Sequence, residues 1–444
     1  MRILMGLLGL AILIGIAVAF SRDRKNINWQ LVATGVALQI GFAALVLLTP
    51  YGGWVFEKLG EGFVRLTEFT REGSSFVFGD MVDLSKFPFI FAFQVLPTII
   101  FFAAFMAVMY HLGVMQGVVR GMAWSITKVM KVSGAETTSV CASVFIGQTE
   151  APLTVRPYIS KMTESELLTM MIGGMAHIAG GVMAAYIIML GGADPVQQAL
   201  YAKHFLAASI MAAPATLVLA KVLIPEMGTP LTRGEVHVHF ERESNNVIEA
   251  AANGAADGVK LAINIAAMLI AFIAIIALVN GILGWFGGLV GINAWLTPDA
   301  PALGVALLAD GSVKPVELSL QLIFGYVLAP IAFIIGVPWE DANLVGSLIG
   351  QKLVINEFYA YLQLAAIPVG EGANALSPDA RLIATYALCG FANFSSIAIQ
   401  IGGIGGIAPD RKSDVARFGL LAVLGGTLAT LMTATIAGVL LHLT

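Results

Sequence analysis

Eight apolar runs, each long enough to cross a hydrocarbon layer, constrain what this chain can fold into. They lie at about 1–20, 28–50, 88–110, 165–190, 204–225, 260–284, 382–405 and 416–442. A bilayer core about 30 Å thick takes about 20 residues of helix to span, so runs of this length read as membrane helices. The rest of the 444-residue chain agrees. It is 58% hydrophobic and 12% charged, with a mean hydropathy of +0.86, which excludes a water-soluble protein. An all-α integral membrane protein with eight transmembrane helices is expected. Two further apolar stretches, within 137–158 and 340–366, are interrupted by polar residues and are expected as re-entrant hairpins.

The net charge of −4 is small and dispersed, which points neither to nucleic acid nor to an acidic ligand. Its placement is more informative. If the first run starts outside, Arg22, Arg24, Lys25, Arg120, Lys128, Lys131, Arg156, Lys161, Arg233, Arg242, Arg411, Lys412 and Arg417 all fall inside, with both termini outside. The 51–87 connection mixes signs and places Val55, Leu59, Phe63 and Leu66 on one helical face, the pattern of an interfacial helix. AVAF near residue 20 offers a small-residue cleavage site, but the basic RDRK after it favours a retained span over a signal peptide. Cys141 and Cys389 both lie in apolar segments and read as buried small residues.

The polar interruptions come in matching order. In the first half, GQTEAP (147–152) precedes a span carrying MAHIAGGVMAAY (175–186). In the second, VINEFYAY (354–361) precedes a span carrying CGFANFSSIAIQIGG (389–403). Secondary transporters place binding sites where two structural repeats meet, at broken helices whose backbone can face a ligand. The chain therefore divides into N-terminal spans with the interfacial helix, mostly scaffold (1–114), a first repeat (115–225), a cytoplasmic loop (226–252), a scaffold span with a periplasmic loop (253–310) and a second repeat (311–444).

Pro152 biases Ala151 away from helical backbone and suits the first turn of a helix, so Gln148, Thr149 and Glu150 are expected in non-helical backbone ahead of a half-helix. The half-helix dipole favours a charged Glu150 and desolvation opposes it. Pairing with Arg156 is the structural alternative, but an intramembrane acid more often marks a site. Glu357 stands beside Asn356 in an apolar setting, with Lys352 five residues back and off its helical face. Asn393 and Ser396 share a face near Phe391, and taken alone would serve equally as interhelical glue. Two carboxylates, several amides and hydroxyls and one ring, with no intramembrane Arg or Lys in evidence, suit a neutral, flat, hydroxyl-rich ligand.

At these residues the chain resembles the concentrative nucleoside transporter family. The likeness rests on GQTEAPLTVRPY, MAHIAGGVMAAY, VPWEDANLVGSLIGQKLVINEFYAY and CGFANFSSIAIQIGGIGGIAPDRKSDVARFG, in family order, and covers about 90–444. It implies a homotrimer in the bacterial inner membrane with periplasmic termini. Each protomer would have eight spans, two re-entrant hairpins and inverted repeats, and would carry nucleosides by an elevator-like movement. It assigns Gln148, Thr149 and Glu150 to the nucleobase, Val182 to an apolar contact with the base, Glu357, Asn393 and Ser396 to the ribose, and Phe391 to the lining.

The resemblance implies no cofactor beyond a coupling cation, H+ or Na+. The family's sodium positions match Ser143, Ile146, His177 and Ile178. Imidazole nitrogen is a poor ligand for a hard cation, so His177 weakens sodium and admits a proton, while a hydrogen-bonded packing histidine is an equal alternative. An amino acid carrier would use helix N-termini for the ligand carboxylate and would not need two acids. A membrane enzyme lacks its motif: no H-E-x-x-H occurs, and the HVH at 237–239 sits in a polar loop.

Overall fold

A computed structural model describes residues 2–83, 86–87, 89–234, 244–296, 316–370 and 375–442. Arg242 and the HVH stretch lie outside the described residues. All eight expected runs are helical: Arg2–Ala19, Trp29–Leu48, Phe91–His111, Glu164–Gly191, Pro195–Leu223, Val247–Leu289, an interrupted pair over 378–407, and Lys412–Leu441. Among the described residues, six helices are long and apolar enough to cross a membrane by themselves. The 18-residue Arg2–Ala19 and the interrupted 378–407 pair are the other two.

One span is much longer than its apolar run. Val247–Leu289 has 43 residues, about 65 Å at 1.5 Å per residue, roughly twice the hydrocarbon thickness. Its polar first turns, with Glu249, Asp257 and Lys260, therefore extend beyond the apolar layer. Asn246 starts them by accepting a hydrogen bond from Glu249 N. This helix packs along Phe91–His111, where a Cβ at Gly258 would lie 2.7 Å from Ile100 Cα and one at Gly254 2.8 Å from Ala103 O. Small residues let the two backbones approach.

Two connecting helices are not among the expected runs. Val114–Met130 and Leu320–Ile334 are short, at 17 and 15 residues, and each leads into a hairpin through a sharp turn. Lys131 makes the first turn at φ 55, a left-handed conformation. The second bends by 116° around Gly336 at φ 104. With these helices included, the repeat is complete. Long helix, connecting helix, hairpin, broken span and closing helix follow one another over 91–223 and again over 247–441.

The long helix Pro50–Phe78 forms as expected in the 51–87 connection, and it packs on the protein through a different face from the apolar one. Gly52, Phe56, Gly60, Val64, Thr67, Thr70 and Ser74 turn inward, while Val55 and Leu59 are exposed. Close approach rather than hydrophobicity selects the packed face in an apolar solvent. A Cβ at Gly60 would sit 2.8 Å from Ala199 O.

The expectation of no intramembrane Arg or Lys is overturned. Lys221, Lys352 and Arg381 are buried at 4%, 1% and 8% exposure. Single basic residues vanish in a hydropathy average, and each of these finds acceptors near a helix end. Lys221 bridges Glu136 at 2.8 Å and Glu226 at 3.0 Å, tying the first hairpin to the end of Pro195–Leu223. Arg381 Nη1 donates to Leu364 O and Ile367 O, both at 2.9 Å, at the end of the second hairpin. Arg411 does the same for the first hairpin, donating to Ile159 O at 3.2 Å and Met162 O at 2.6 Å. The hairpin mouths are also tied to the broken spans, by Ser133 to Glu166 and by Ser377 to Asp341. The first and last described helices pack on each other. Gly6 packs on Val439, and His442 pairs with Asp379 at 3.2 Å.

Lys221→Met should be costly, because removing one partner of a buried pair leaves an uncompensated charge, worth about 3–5 kcal/mol. Glu226→Gln, at the more exposed end of the cluster, should cost less than about 1 kcal/mol. Thermal unfolding of the two variants in detergent would check the order.

Candidate functional site

Two helix breaks cross at the centre of the repeat pair. The first broken span stops at Ala176 and resumes at Gly180; the second stops at Leu388 and resumes at Phe394. Phe391 N donates to His177 O at 3.3 Å. A Cβ at Gly390 would come 2.9 Å from Met175 O, so this crossing requires glycine. Each break exposes carbonyls at the end of one half-helix and N–H groups at the start of the next. Side chains from both hairpins complete the site.

Asn393 starts the resumed helix. Its Oδ1 accepts from Ser396 N at 2.9 Å, which pins the amide and leaves Nδ2 to donate to Glu357 Oε2 at 3.1 Å. In the second hairpin, Asn356 caps Glu357–Ala366 by accepting from Tyr359 N at 2.9 Å, so Glu357 becomes the first helical residue. A carboxylate there is favoured by the helix dipole. Its Oε1 accepts from Tyr186 OH at 2.8 Å, and the side chain is buried at 5% exposure. Glu357 is thus held from two sides, by one residue of each broken span.

The first hairpin reaches the same turn. Gln148 Nε2 donates to Ser396 Oγ at 3.1 Å, and Ser396 Oγ donates to Phe391 O at 2.6 Å. Gln400 Nε2 donates to Gln148 Oε1 at 3.2 Å and to Met171 O at 2.9 Å. Asn393 and Ser396 lie on one face of the helix, so the tips of both hairpins converge on a single turn. Val182 is buried near the start of Gly180–Gly191, and Phe391 is half-buried in the second break.

Thr149 and Glu150 differ from expectation in their surroundings. Glu150 is exposed rather than desolvated, and Thr149 Oγ1 donates to its Oε1 at 2.8 Å. The carboxylate folds back over Gly147, where a Cβ would overlap it. Thr149 itself packs on Gly403, beyond Gln400 on the same helix. Pro152 does open a helical segment, but a short one: a five-residue 3-10 turn, Ala151–Val155, followed by Arg156–Ile159. Residues 148–150 form turns ahead of it.

Of the four expected cation positions, Ser143, Ile146, His177 and Ile178, the backbones flanking Ile146 and Ile178 are linked across the first hairpin and the first break. Gly180 N donates to Phe145 O at 3.0 Å, which holds the backbone beside Ile146 against that beside Ile178. Ser143 Oγ donates to Ser139 O at 3.0 Å. His177 is buried at 1% exposure, with Nδ1 2.7 Å from Gly173 O. A carbonyl only accepts, so Nδ1 carries the proton. Nε2 is buried and forms no well-aligned hydrogen bond, lying against the Ser209 backbone.

Tyr186 and Gln400 are missing from the residues expected from sequence. Gln400 had a signal, since 393, 396 and 400 repeat on one helical face. Tyr186 had a weaker one, because a tyrosine in a span fits packing as well as a hydrogen bond. Chemically, the site offers a carboxylate to hydroxyl donors, an amide and hydroxyl edge, an apolar wall and a ring.

Three family models match: "Na+ dependent nucleoside transporter C-terminus" over 204–438, the corresponding N-terminus over 8–81, and "Nucleoside recognition" over 92–193. An uncharacterized transporter of Haemophilus influenzae is 44% identical over 445 residues, covering 100% of this chain and 99% of that protein. Human sodium/nucleoside cotransporter 1 is 39% identical over 97% of this chain, which spans 63% of the human protein. Among solved structures, CNTnw in an inward-facing substrate-bound state matches with a TM-score of 0.87 and 41% identity, covering 100% of this chain and 99% of that one. An outward-facing CNTnw variant matches at 0.88 and 42%, covering 100% of both chains.

Tyr186→Phe removes one of the two side-chain donors to a buried carboxylate and should cost roughly 1.5–3 kcal/mol of stability. In a Glu357→Gln background the same change should cost less. A double-mutant cycle on thermal unfolding would measure that coupling.

Proposed function

This chain belongs to the Na+ dependent nucleoside transporter family, and from that premise we propose that it is a cation-coupled nucleoside symporter, taking nucleosides such as uridine through the membrane by an elevator-type movement. The convergence of both hairpin tips on the turn holding Asn393 and Ser396, around the buried Glu357, carries the reading. Vicinal ribose hydroxyls can both donate to Glu357, with Asn393 and Ser396 beside them. The nucleobase edge is matched by Gln148, Thr149 and Glu150, whose amide and hydroxyl both donate and accept and whose carboxylate accepts. Val182 and Phe391 cover its faces.

The movement follows from the way the halves are tied together. Hairpins, broken spans and closing helices are joined by Lys221, Arg381, Arg411 and the Ser133 and Ser377 contacts, so they travel as one body. Phe91–His111 and Val247–Leu289, packed on each other, with Pro50–Phe78, form the scaffold. The likeness to CNTnw in both inward- and outward-facing states supports this division. The family resemblance supports a homotrimer in a bacterial inner membrane. The basic residues after the first span and before the last support periplasmic termini.

The coupling cation in this reading is a proton, taken by His177. Its Nδ1–H is committed to Gly173 O, so the lone pair of the buried Nε2 is the group left to accept one. Ser143, Ile146 and Ile178, matched to the family's sodium positions by the resemblance, would supply the oxygens if sodium were used instead, as the family description and the named relatives favour.

Radiolabelled uridine uptake into proteoliposomes tests both levels. Uptake driven by an inward pH gradient without sodium is expected, and His177→Ala should abolish that drive. Strict dependence on a sodium gradient at matched pH would overturn the proton. Absence of uptake for every common nucleoside would overturn the transport reading. Glu357→Gln should lower uptake efficiency roughly 10–100-fold, the weight of hydrogen bonds to a charged group.

A further inference from the structure

The second hairpin carries a buried ammonium that has no part in the transport scheme above. Lys352 lies in the last turn of Trp339–Val354, at 1% exposure. Its Nζ donates to Ala387 O at 2.9 Å and to Thr430 Oγ1 at 3.0 Å. Unlike Lys221, it pairs with no carboxylate among the described residues. An ammonium withdrawn from water costs several kcal/mol unless its surroundings compensate, and two neutral acceptors alone are weak compensation.

The helix break supplies the rest. Ala387 belongs to the last turn of Pro378–Leu388, the first half of the second broken span. A helix C-terminus carries about half a negative charge on its unpaired carbonyls, and Lys352 sits on that pole. Five residues along the same hairpin, Glu357 begins the returning helix. Through Asn393 it reaches the opposite pole of the break, the N-terminus of Phe394–Ile407. The hairpin tip therefore presents a positive and then a negative group to the negative and positive ends of the broken span. Lys352 and Glu357, five residues apart at one hairpin tip, are bonded to the two different halves of the broken span. Thr430 joins the final helix to the same point.

The first repeat fills the equivalent place differently. His177, directly after the end of Glu164–Ala176, puts a ring nitrogen on the last-turn carbonyl of Gly173. One break thus has a basic side chain with an open nitrogen, and the other has a tethered ammonium. We propose that Lys352 is the built-in cation of the second repeat, a positioning residue that holds the 378–407 break in shape and supplies the counter-charge for Glu357. Its role in ligand recognition rests on the nucleoside reading above; its role in the break does not.

Thermal unfolding of the full-length protein in detergent tests the break without any ligand. Lys352→Met keeps the length and removes the charge, and should lower Tm by roughly 5 °C or more. Lys352→Met combined with Glu357→Gln removes both charges and should recover at least half of that loss. If Lys352→Met alone fails to fold, recovery of a folded protein in the double variant carries the same meaning. An unchanged Tm in Lys352→Met, or no recovery in the double variant, overturns the proposal. Uridine binding then reads recognition. Folded Lys352→Met should bind at least 10-fold more weakly than wild type, and Lys352→Arg should restore part of the affinity. Wild-type affinity in Lys352→Met would overturn the counter-charge role, whereas failure of the wild type to bind any nucleoside would count against the functional reading alone.

Discussion

Backbone polar groups left unpaired inside a bilayer cost several kcal/mol each, and this fold leaves such groups at two crossing helix breaks. The rest of the centre is arranged around them. Gly390 lets the breaks touch, Asn393 caps the resumed helix, and the His177 carbonyl takes the Phe391 N–H. Side chains that satisfy the breaks are also those proposed to face a ligand. A binding site and a repaired helix are here the same set of atoms.

Buried charge follows the same logic. Arg381 and Arg411 each close the carbonyl end of a hairpin, Lys352 closes the carbonyl end of a half-helix, and Lys221 balances carboxylates at the first hairpin's mouth. These cations are spent on the protein itself. The site around Glu357 is left with acceptors and amides, which suits a neutral ligand rich in hydroxyls. An expectation that started from the absence of basic residues thus reaches a sound ligand class for a different reason: the basic residues are present and already committed.

Much of the site was legible because polar residues in an apolar run have few structural uses. Gln148, Glu357, Asn393 and Ser396 were each conspicuous in that way, and the structure brings them within hydrogen bonds of one another or of a shared partner. Tyr186 was hidden because its ring is ordinary in a span while its hydroxyl is not. Val114–Met130 was hidden because it is short and carries Arg120 and Lys128, whereas Leu320–Ile334 lies in an apolar run, 318–337, that hydropathy could have shown. The packed face of Pro50–Phe78 was hidden because close approach at small residues, rather than hydrophobicity, selects it in an apolar solvent.

Hydropathy and the spacing of polar interruptions by themselves determined the membrane class, the eight spans, the two hairpins and their repeated order. Those features follow from the cost of putting polar groups into hydrocarbon, a cost each segment meets on its own. Only the tertiary structure decided which residues share the centre. It brought together Gln148 with Ser396, 248 positions apart, and Tyr186 with Glu357, 171 apart, and it seated Lys352 on a carbonyl of another helix. Such pairings depend on how two broken helices cross, and crossing is a property of packed surfaces rather than of any one segment.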